Sequence, residues 1–125
     1  MSNIEEQNLT EFLLEVKAKM ANITTSENIE INNINEYVLK NSGKFIRSKI
    51  IYLYGSEIGV RNQKLIELAS AAELIHLSTL IHDDIIDEAD LRRDMPTVVK
   101  KWGVKKAILY GEEKIPRELL DIEEK

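Results

Sequence analysis

Apolar residues recur along this chain at intervals of three and four positions, which is the spacing of one face of an α-helix. The residues between them are mostly good helix formers, and no segment alternates between apolar and polar positions as a half-buried strand does. Breaks at Asn22–Thr25 and at Asn41-Ser42-Gly43 divide the pattern, because a glycine just after the last helical turn commonly ends a helix. The sequence therefore predicts an all-α protein.

Four main helices are predicted from this pattern. The first begins at Ser2, which with Glu5 resembles a capping box. The predicted helices cover Ser2 to about Asn22–Thr25, the residues after Ser26 to about Lys40, Phe45 to about Ile58, and Asn62 to about Glu88. Their apolar faces are Leu9, Phe12, Leu13, Val16 and Met20 in the first helix, Ile31, Ile34, Tyr37 and Val38 in the second, and Ile46, Ile50, Ile51, Leu53 and Tyr54 in the third. The fourth helix is apolar at most positions, so we expect it to be buried on most sides.

The segment after Arg93 is less regular. Met95-Pro96-Thr97 is predicted to form a turn, residues 98–103 a short connecting element and residues 104–110 a further helix. Residues 112–125 are highly charged, and Pro116 suits the first turn of a short exposed helix. We therefore expect a partial helical domain over residues 1–111 and a charged carboxyl-terminal tail over residues 112–125.

An acidic cluster closes the fourth helix. Asp83, Asp87 and Asp90 are predicted to share one helical face, since each residue turns about 100 degrees, and His76 lies on that face two turns upstream. Carboxylates this close repel one another unless a cation such as Mg2+ pairs with them. A solvated acidic helix end is the alternative. The apolar helix before the cluster favours a cleft that holds a cation.

Basic residues occur at two places that suit an anion. Arg92 and Arg93 follow the acidic cluster, and the planar guanidinium group matches the geometry of phosphate. Lys44 and Arg47 lie after Gly43 in a loop before a helix, where free backbone N–H groups also favour anions. Taken alone, either pair would more often belong to a solvated surface.

Composition narrows the class of protein. The net charge of −5 argues against a nucleic-acid partner, for which a basic surface is expected. The 125 residues include no cysteine, which excludes disulfides and thiolate metal sites and fits a reducing compartment. The residues from Met1 to Glu6 lack the features of a signal peptide, and no apolar run approaches membrane-spanning length. We therefore expect a soluble cytoplasmic protein without a transmembrane segment.

Several linked motifs between about Asn41 and Gly111 occur together and in order. They are Glu73-Leu74-Ile75-His76, Leu80-Ile81-His82-Asp83-Asp84-Ile85-Ile86-Asp87-Glu88, Asp90-Leu91-Arg92-Arg93, Pro96-Thr97, Lys101-Trp102-Gly103 and Ala107-Ile108-Leu109-Tyr110-Gly111. In these motifs the chain resembles the trans-isoprenyl diphosphate synthases, the family of farnesyl, geranylgeranyl and longer polyprenyl diphosphate synthases. The resemblance implies an orthogonal helical bundle that corresponds to the amino-terminal portion of the isoprenyl synthase fold. It also implies Mg2+-dependent condensation of isopentenyl diphosphate with an allylic diphosphate.

Site roles follow from the resemblance, position by position. Asp83 and Asp87 are expected to be catalytic ligands of Mg2+, and Arg92 is expected to bind the allylic diphosphate. The residues expected to bind isopentenyl diphosphate are Lys44, Arg47, His76 and Arg93. Thr79 and Ser78 occupy the positions that limit product length in this family, and their small size resembles the longer-chain synthases.

The chain also departs from the family pattern. Ser42, Phe45, Ser48 and Asp94 stand where the family usually has glycine, a basic residue, proline and glycine, respectively. The matching motifs end near Gly111, and residues 112–125 contain no second aspartate-rich motif. We therefore expect half of an active site, completed by a homo-oligomer or by a complementing partner chain.

Two other hypotheses remain open. The chain could be a non-catalytic subunit or truncated remnant that binds diphosphate or a partner chain without turnover. His82 with Asp83 could instead belong to an all-helical metal phosphohydrolase, but such a site generally needs more imidazole ligands than the two histidines of this chain. We expect His82 to be a packed residue beside the metal carboxylates.

Overall fold

The computed structural model describes residues 3–23, 27–41 and 43–111. Its helices are α1 (Asn3–Ile23), α2 (Ile29–Lys40), α3 (Ile46–Glu57), α4 (Asn62–Ile86) and α5 (Val98–Trp102), and residues 104–111 are also helical. The all-α prediction is confirmed, with helix ends close to those predicted. The predictions for Ser2, Ser26 and residues 112–125 fall outside the described residues. At the start of α2, the Asn28 side chain caps the helix by accepting from two backbone N–H groups.

Helix α4 joins two apolar clusters. Its amino-terminal half packs with α1 and α3 in a cluster of Phe12, Val16, Met20, Phe45, Leu65, Ile66, Ala69 and Leu74. Its carboxyl-terminal half packs with α2, α5 and residues 104–111 in a cluster of Ile31, Ile34, Val38, Ile81, Val98, Ala107 and Tyr110. Both ends of α4 are therefore fixed by packing, and side chains on it have defined positions.

Helix α4 is long and apolar enough to cross a membrane by length and mean hydropathy. The expectation that no apolar run approaches that length was therefore wrong for this segment. Half of its most apolar window is buried inside the fold, and a single helix of this kind is weak evidence for a membrane span.

Much of the apolar face of α3 is exposed. Ile46, Ile50, Leu53 and Tyr54 are exposed, and only Ile51 of the predicted face packs against the core. The buried residues of α3 are Ser48 and Gly55. A Cβ at Gly55 would lie 2.2 Å from Cδ2 of Leu65, so the glycine permits close contact between α3 and α4. The exposed face is a candidate contact surface, because exposed apolar patches commonly mark interaction sites.

A short β-hairpin follows α4, although no strand was predicted. Leu91–Arg92 (β1) pairs with Met95–Pro96 (β2), which leaves Arg93 and Asp94 as a two-residue loop. Both loop residues have positive φ, of 52° and 66°, as the favoured two-residue hairpin turn requires. This conformation explains why glycine would suit position 94 and why aspartate, which tolerates it better than most residues, can replace it.

The close contact at Gly55 generates a stability prediction. We expect Gly55→Ala to lower the free energy of unfolding by roughly 1–2 kcal/mol, because overpacking against the buried Leu65 outweighs the higher helix propensity of alanine. Urea denaturation followed by circular dichroism measures the change. Ser56→Ala, at the exposed neighbouring position, is the matched control. Equal stability of Gly55→Ala and the parent chain would contradict the contact.

Candidate functional site

A cavity of about 230 Å³ lies between the end of α2, the start of α3, α4 and the β-hairpin. Four of the predicted substrate-binding residues line it, namely Arg47, His76, Arg92 and Arg93. Lys44 does not line it, although its neighbours Gly43 and Phe45 do. The Lys44 side chain is exposed. The structure therefore gathers residues from three separate segments into one cationic cavity.

Arg47 is held at one edge of this cavity by Glu73. Its Nε–H donates to Oε1 of Glu73 over 2.9 Å. The other carboxylate oxygen of Glu73 accepts from the backbone N–H and the hydroxyl of Ser48, at 3.1 and 2.7 Å. Glu73 is only 2% exposed, so this buried charge has three donors around it.

Arg92 is held in a similar way by Asp84. Nε and Nη2 of Arg92 both donate to the Asp84 carboxylate, with a shortest distance of 2.7 Å. This hydrogen bonding raises the pKa of Arg92 above its already high usual value. Asp84 is buried and its charge is paired with Arg92. The neighbouring Asp83 is exposed.

Arg93 lies against the Gly43 backbone. A Cβ at Gly43 would come within 2.2 Å of Nη1 of Arg93, so the glycine lets the guanidinium group lie directly against the backbone in this position. Within the described ranges, no carboxylate forms an ion pair with Arg93. Its charge is therefore available to an anion.

His76 faces these arginines from α4. Burial lowers the pKa of His76, and the positive charge of Arg47 lowers it further. Arg92 and Arg93 act in the same direction, against an opposing contribution from the Glu73 carboxylate. The imidazole is therefore neutral at neutral pH and can donate one hydrogen bond to an anion from whichever nitrogen carries its proton.

Asp83 and Asp87 lie outside the cavity lining, on an exposed part of α4 one turn apart. Asp87 caps the helix, and its N–H donates to the Asp83 carbonyl at 2.9 Å. Helix α4 ends at Ile86, so Asp90 lies beyond the helix and the prediction that it shares the helical face is wrong.

The two exposed carboxylates fit Mg2+ in one particular way. In the described part of the chain, no group of three or more acidic or histidine side chains is arranged to enclose a metal ion. Mg2+ commonly binds through one or two carboxylates and completes its octahedron with water and substrate phosphate. Asp83 and Asp87 have the chemistry for that mode, in which the substrate supplies further ligands.

Ser78 and Thr79 lie on different sides of α4. Thr79 is exposed one turn before Asp83, and its hydroxyl donates to the Ile75 carbonyl at 2.8 Å. Ser78 is buried and points toward the Gly111 carbonyl, 3.4 Å away. Of the two, only Thr79 shares the exposed face of the carboxylates, and their role in product length stays a prediction.

Sequence reasoning assigned no role to three residues that shape the site. Glu73 and Asp84 hold arginines, and the hydroxyl of Tyr37 donates to the Pro96 carbonyl of the hairpin. Tyr37 was expected only in the core, and no local pattern marked its contact with a residue far along the chain. His82 packs against Gly111, where a Cβ would lie 3.1 Å from its Nε2.

The lowered pKa of His76 generates a pH prediction. As pH falls below about 6.5, the unfolded chain binds a proton at this histidine before the folded chain does. His76 therefore lowers the free energy of unfolding as pH falls through its pKa in the unfolded chain. This loss ends once pH is below its pKa in the folded chain. Urea denaturation between about pH 7.5 and about pH 5.5 should show a smaller loss of stability for His76→Gln than for the parent chain. Identical losses would contradict the lowered pKa.

Comparison with known proteins identifies the family of this site. The family model for polyprenyl synthetases matches residues 28–113. A geranylgeranyl diphosphate synthase from Methanosarcina mazei is 40% identical over 83 residues, which are 66% of this chain and 26% of that protein. Component 2 of a heptaprenyl diphosphate synthase from Geobacillus stearothermophilus is 32% identical over 111 residues, 89% of this chain and 35% of the relative.

Solved structures agree with this assignment. A polyprenyl synthase from Caulobacter crescentus, crystallised with calcium and isoprenyl diphosphate, superposes with a TM-score of 0.83 at 26% identity. The alignment covers 90% of this chain and 34% of that structure. The chain thus spans about a quarter to a third of the length of these relatives. With the family model matching more than half of its residues, the chain belongs to the polyprenyl synthetase family.

Proposed function

We propose that this chain carries the amino-terminal half of a prenyltransferase site, which binds isopentenyl diphosphate in the cationic cavity and an allylic diphosphate beside Asp83 and Asp87. The observation that carries the proposal is the arrangement on α4. The cavity contains three arginines and a histidine of α4. It lies beside an exposed pair of carboxylates at the end of α4.

The cavity suits a diphosphate because its cationic groups play different parts. Arg93 supplies a positive charge that no described carboxylate neutralises. Arg47 and Arg92 are paired with buried acids, so they contribute N–H donors with fixed orientations. Arg47, Arg93 and His76 are assigned to isopentenyl diphosphate, and Lys44 is near enough in sequence to join them from the exposed loop.

The allylic diphosphate is assigned to the exposed carboxyl-terminal end of α4, next to the cavity. Asp83 and Asp87 would hold Mg2+, which neutralises charge on the departing diphosphate when bound. Arg92, at the border between the cavity and the acidic cluster, is assigned to the same diphosphate. The Caulobacter relative, crystallised with calcium and isoprenyl diphosphate, supports a divalent cation and a prenyl diphosphate as ligands of this family.

The reaction assigned to the complete site is a condensation. The bond between the allylic carbon and the diphosphate oxygen breaks, and the electron pair leaves with the diphosphate. The double bond of isopentenyl diphosphate then forms a bond to the allylic carbon, and loss of a proton creates the new double bond. The residues of this chain bind and orient the two diphosphates for these steps.

A second chain or further copies of this chain are assigned to complete the site. The chain spans only 35% of its heptaprenyl synthase relative, which is itself named as a component. The exposed face of α3, with Ile46, Ile50, Leu53 and Tyr54, offers a surface for such packing. The cytoplasm is the proposed location, because a chain without cysteine fits a reducing compartment. If nothing completes the site, the same residues would form a diphosphate-binding subunit without turnover.

Product formation tests this function. Radiolabelled isopentenyl diphosphate, farnesyl diphosphate and Mg2+ are incubated with the chain alone and with the chain plus extract of its source cells. We expect no elongation by the chain alone and elongation above the extract background when both are present. The Asp83→Asn, Asp87→Asn double variant is the control and should not raise the background. Equal stimulation by the parent chain and this variant would contradict the proposal.

Binding by the carboxylates can be tested separately. We expect the Asp83→Ala, Asp87→Ala double variant to lose most Mg2+-dependent affinity for a non-hydrolysable farnesyl diphosphate analogue, at least about tenfold, because the metal loses both protein ligands. Calorimetric titration with and without Mg2+ measures the effect. Asp90→Asn changes a nearby exposed aspartate beyond the helix end and should bind like the parent chain. Unchanged binding by the double variant would indicate that Asp83 and Asp87 form only a solvated acidic helix end.

A further inference from the structure

Helix α3 lacks a side-chain cap of its own. The residue at its N-cap position, Phe45, has a left-handed backbone conformation with φ of 53° and makes no capping hydrogen bond. The first turn of a helix has N–H groups without intrahelical partners, and Ser48 carries one of them. Its N–H donates to Oε2 of Glu73, so a carboxylate from α4 caps α3. A negative charge at this end of a helix is also favoured by the helix dipole.

Ser48 supplies two of the three donors to the Glu73 carboxylate. Its backbone N–H and its hydroxyl both donate to the same oxygen of Glu73. Proline, which is usual at this position in the family that the sequence resembles, has neither donor. The serine therefore fixes one oxygen of the buried carboxylate and leaves the other for Arg47.

The geometry at Arg47 differs from the geometry at Arg92. Asp84 occupies both Nε and Nη2 of Arg92, whereas Glu73 accepts only from Nε of Arg47. Both terminal nitrogens of Arg47 therefore remain free of the carboxylate. The Arg47 side chain is 43% exposed while that of Glu73 is 3% exposed, so the anchor is buried and the donor is accessible.

We propose that Glu73, fixed by Ser48, is a positioning residue that turns the terminal N–H groups of Arg47 toward a diphosphate in the cavity. This inference rests on the proposed function, because it needs a diphosphate as the ligand. Glu73 does not touch the ligand itself and acts through Arg47.

The direction of the change in diphosphate affinity caused by Glu73→Gln distinguishes a positioning role from a simple electrostatic effect. A carboxylate beside an anion site repels the anion, so removing its charge would by itself tighten binding. Loss of the anchor instead frees the Arg47 side chain, whose ordering then opposes binding. We expect Glu73→Gln to weaken the affinity for inorganic diphosphate by about tenfold, the scale of a hydrogen bond to a charged group.

The experiment is calorimetric titration of inorganic diphosphate without Mg2+ into the parent chain, Glu73→Gln, Arg47→Gln and the double variant. Melting temperatures are measured on the same samples. If Glu73 acts through Arg47, the Glu73→Gln change should weaken binding in the parent background and alter it by less than about twofold when Arg47 is already replaced. A merely structural role would weaken binding equally in both backgrounds.

Ser48→Ala keeps the test decisive if Glu73→Gln does not fold. This variant keeps the carboxylate and removes one of its donors, and we expect a weakening of a few fold that also disappears in the Arg47→Gln background. Tighter or unchanged binding by Glu73→Gln, or equal losses in both backgrounds, would overturn the positioning role and leave the proposed function standing. Absence of diphosphate binding by the folded parent chain would overturn both.

Discussion

The need to pair two buried carboxylates on one apolar helix organises this structure. Glu73 and Asp84 lie about three turns apart on α4, so they face nearly the same side of the helix. Both are buried, and an unpaired charge there would cost on the order of several kcal/mol in lost hydration. Each acid therefore draws an arginine from another element, Arg47 from α3 and Arg92 from the hairpin. The start of α3 and the hairpin are thereby brought to opposite ends of one cavity.

This constraint also separates two chemical roles on the same helix. The cavity side of α4 carries acids already satisfied by arginines, together with His76 between them. The exposed carboxyl-terminal end of the helix carries Asp83 and Asp87, whose carboxylates are open to solvent and suited to Mg2+. One rigid helix that carries both sets of residues can hold two diphosphates at a fixed distance from each other. Packing of both halves of α4 supplies that rigidity.

The sequence predicted the helices well because burial of one face leaves a repeated signal at helical spacing. The hairpin left no such signal, since strands of two residues cannot show alternation. The face of α3 was identified as apolar, but its exposure could not be read from periodicity, because a partner surface and a core face look alike. Arg47 and Arg92 were predicted as ligand-binding residues, but their acidic partners were not predicted. Glu73 lies 26 residues from Arg47 in the chain. Asp84 could not be distinguished from the other aspartates of the acidic cluster as the partner of Arg92. Lys44 was placed in the site by the family resemblance, and the structure leaves it outside the cavity lining.

Calorimetric titration of isopentenyl diphosphate into the purified chain, with Mg2+ removed by chelation, tests whether the cationic cavity binds this substrate. The cationic cavity contains neither Asp83 nor Asp87, so we expect saturable binding of one ligand per chain that does not require the metal. Competition by inorganic diphosphate would show that the diphosphate group is what the cavity recognises. Binding that appears only when Mg2+ is added, or no binding by the folded chain, would contradict the assignment of this cavity to isopentenyl diphosphate.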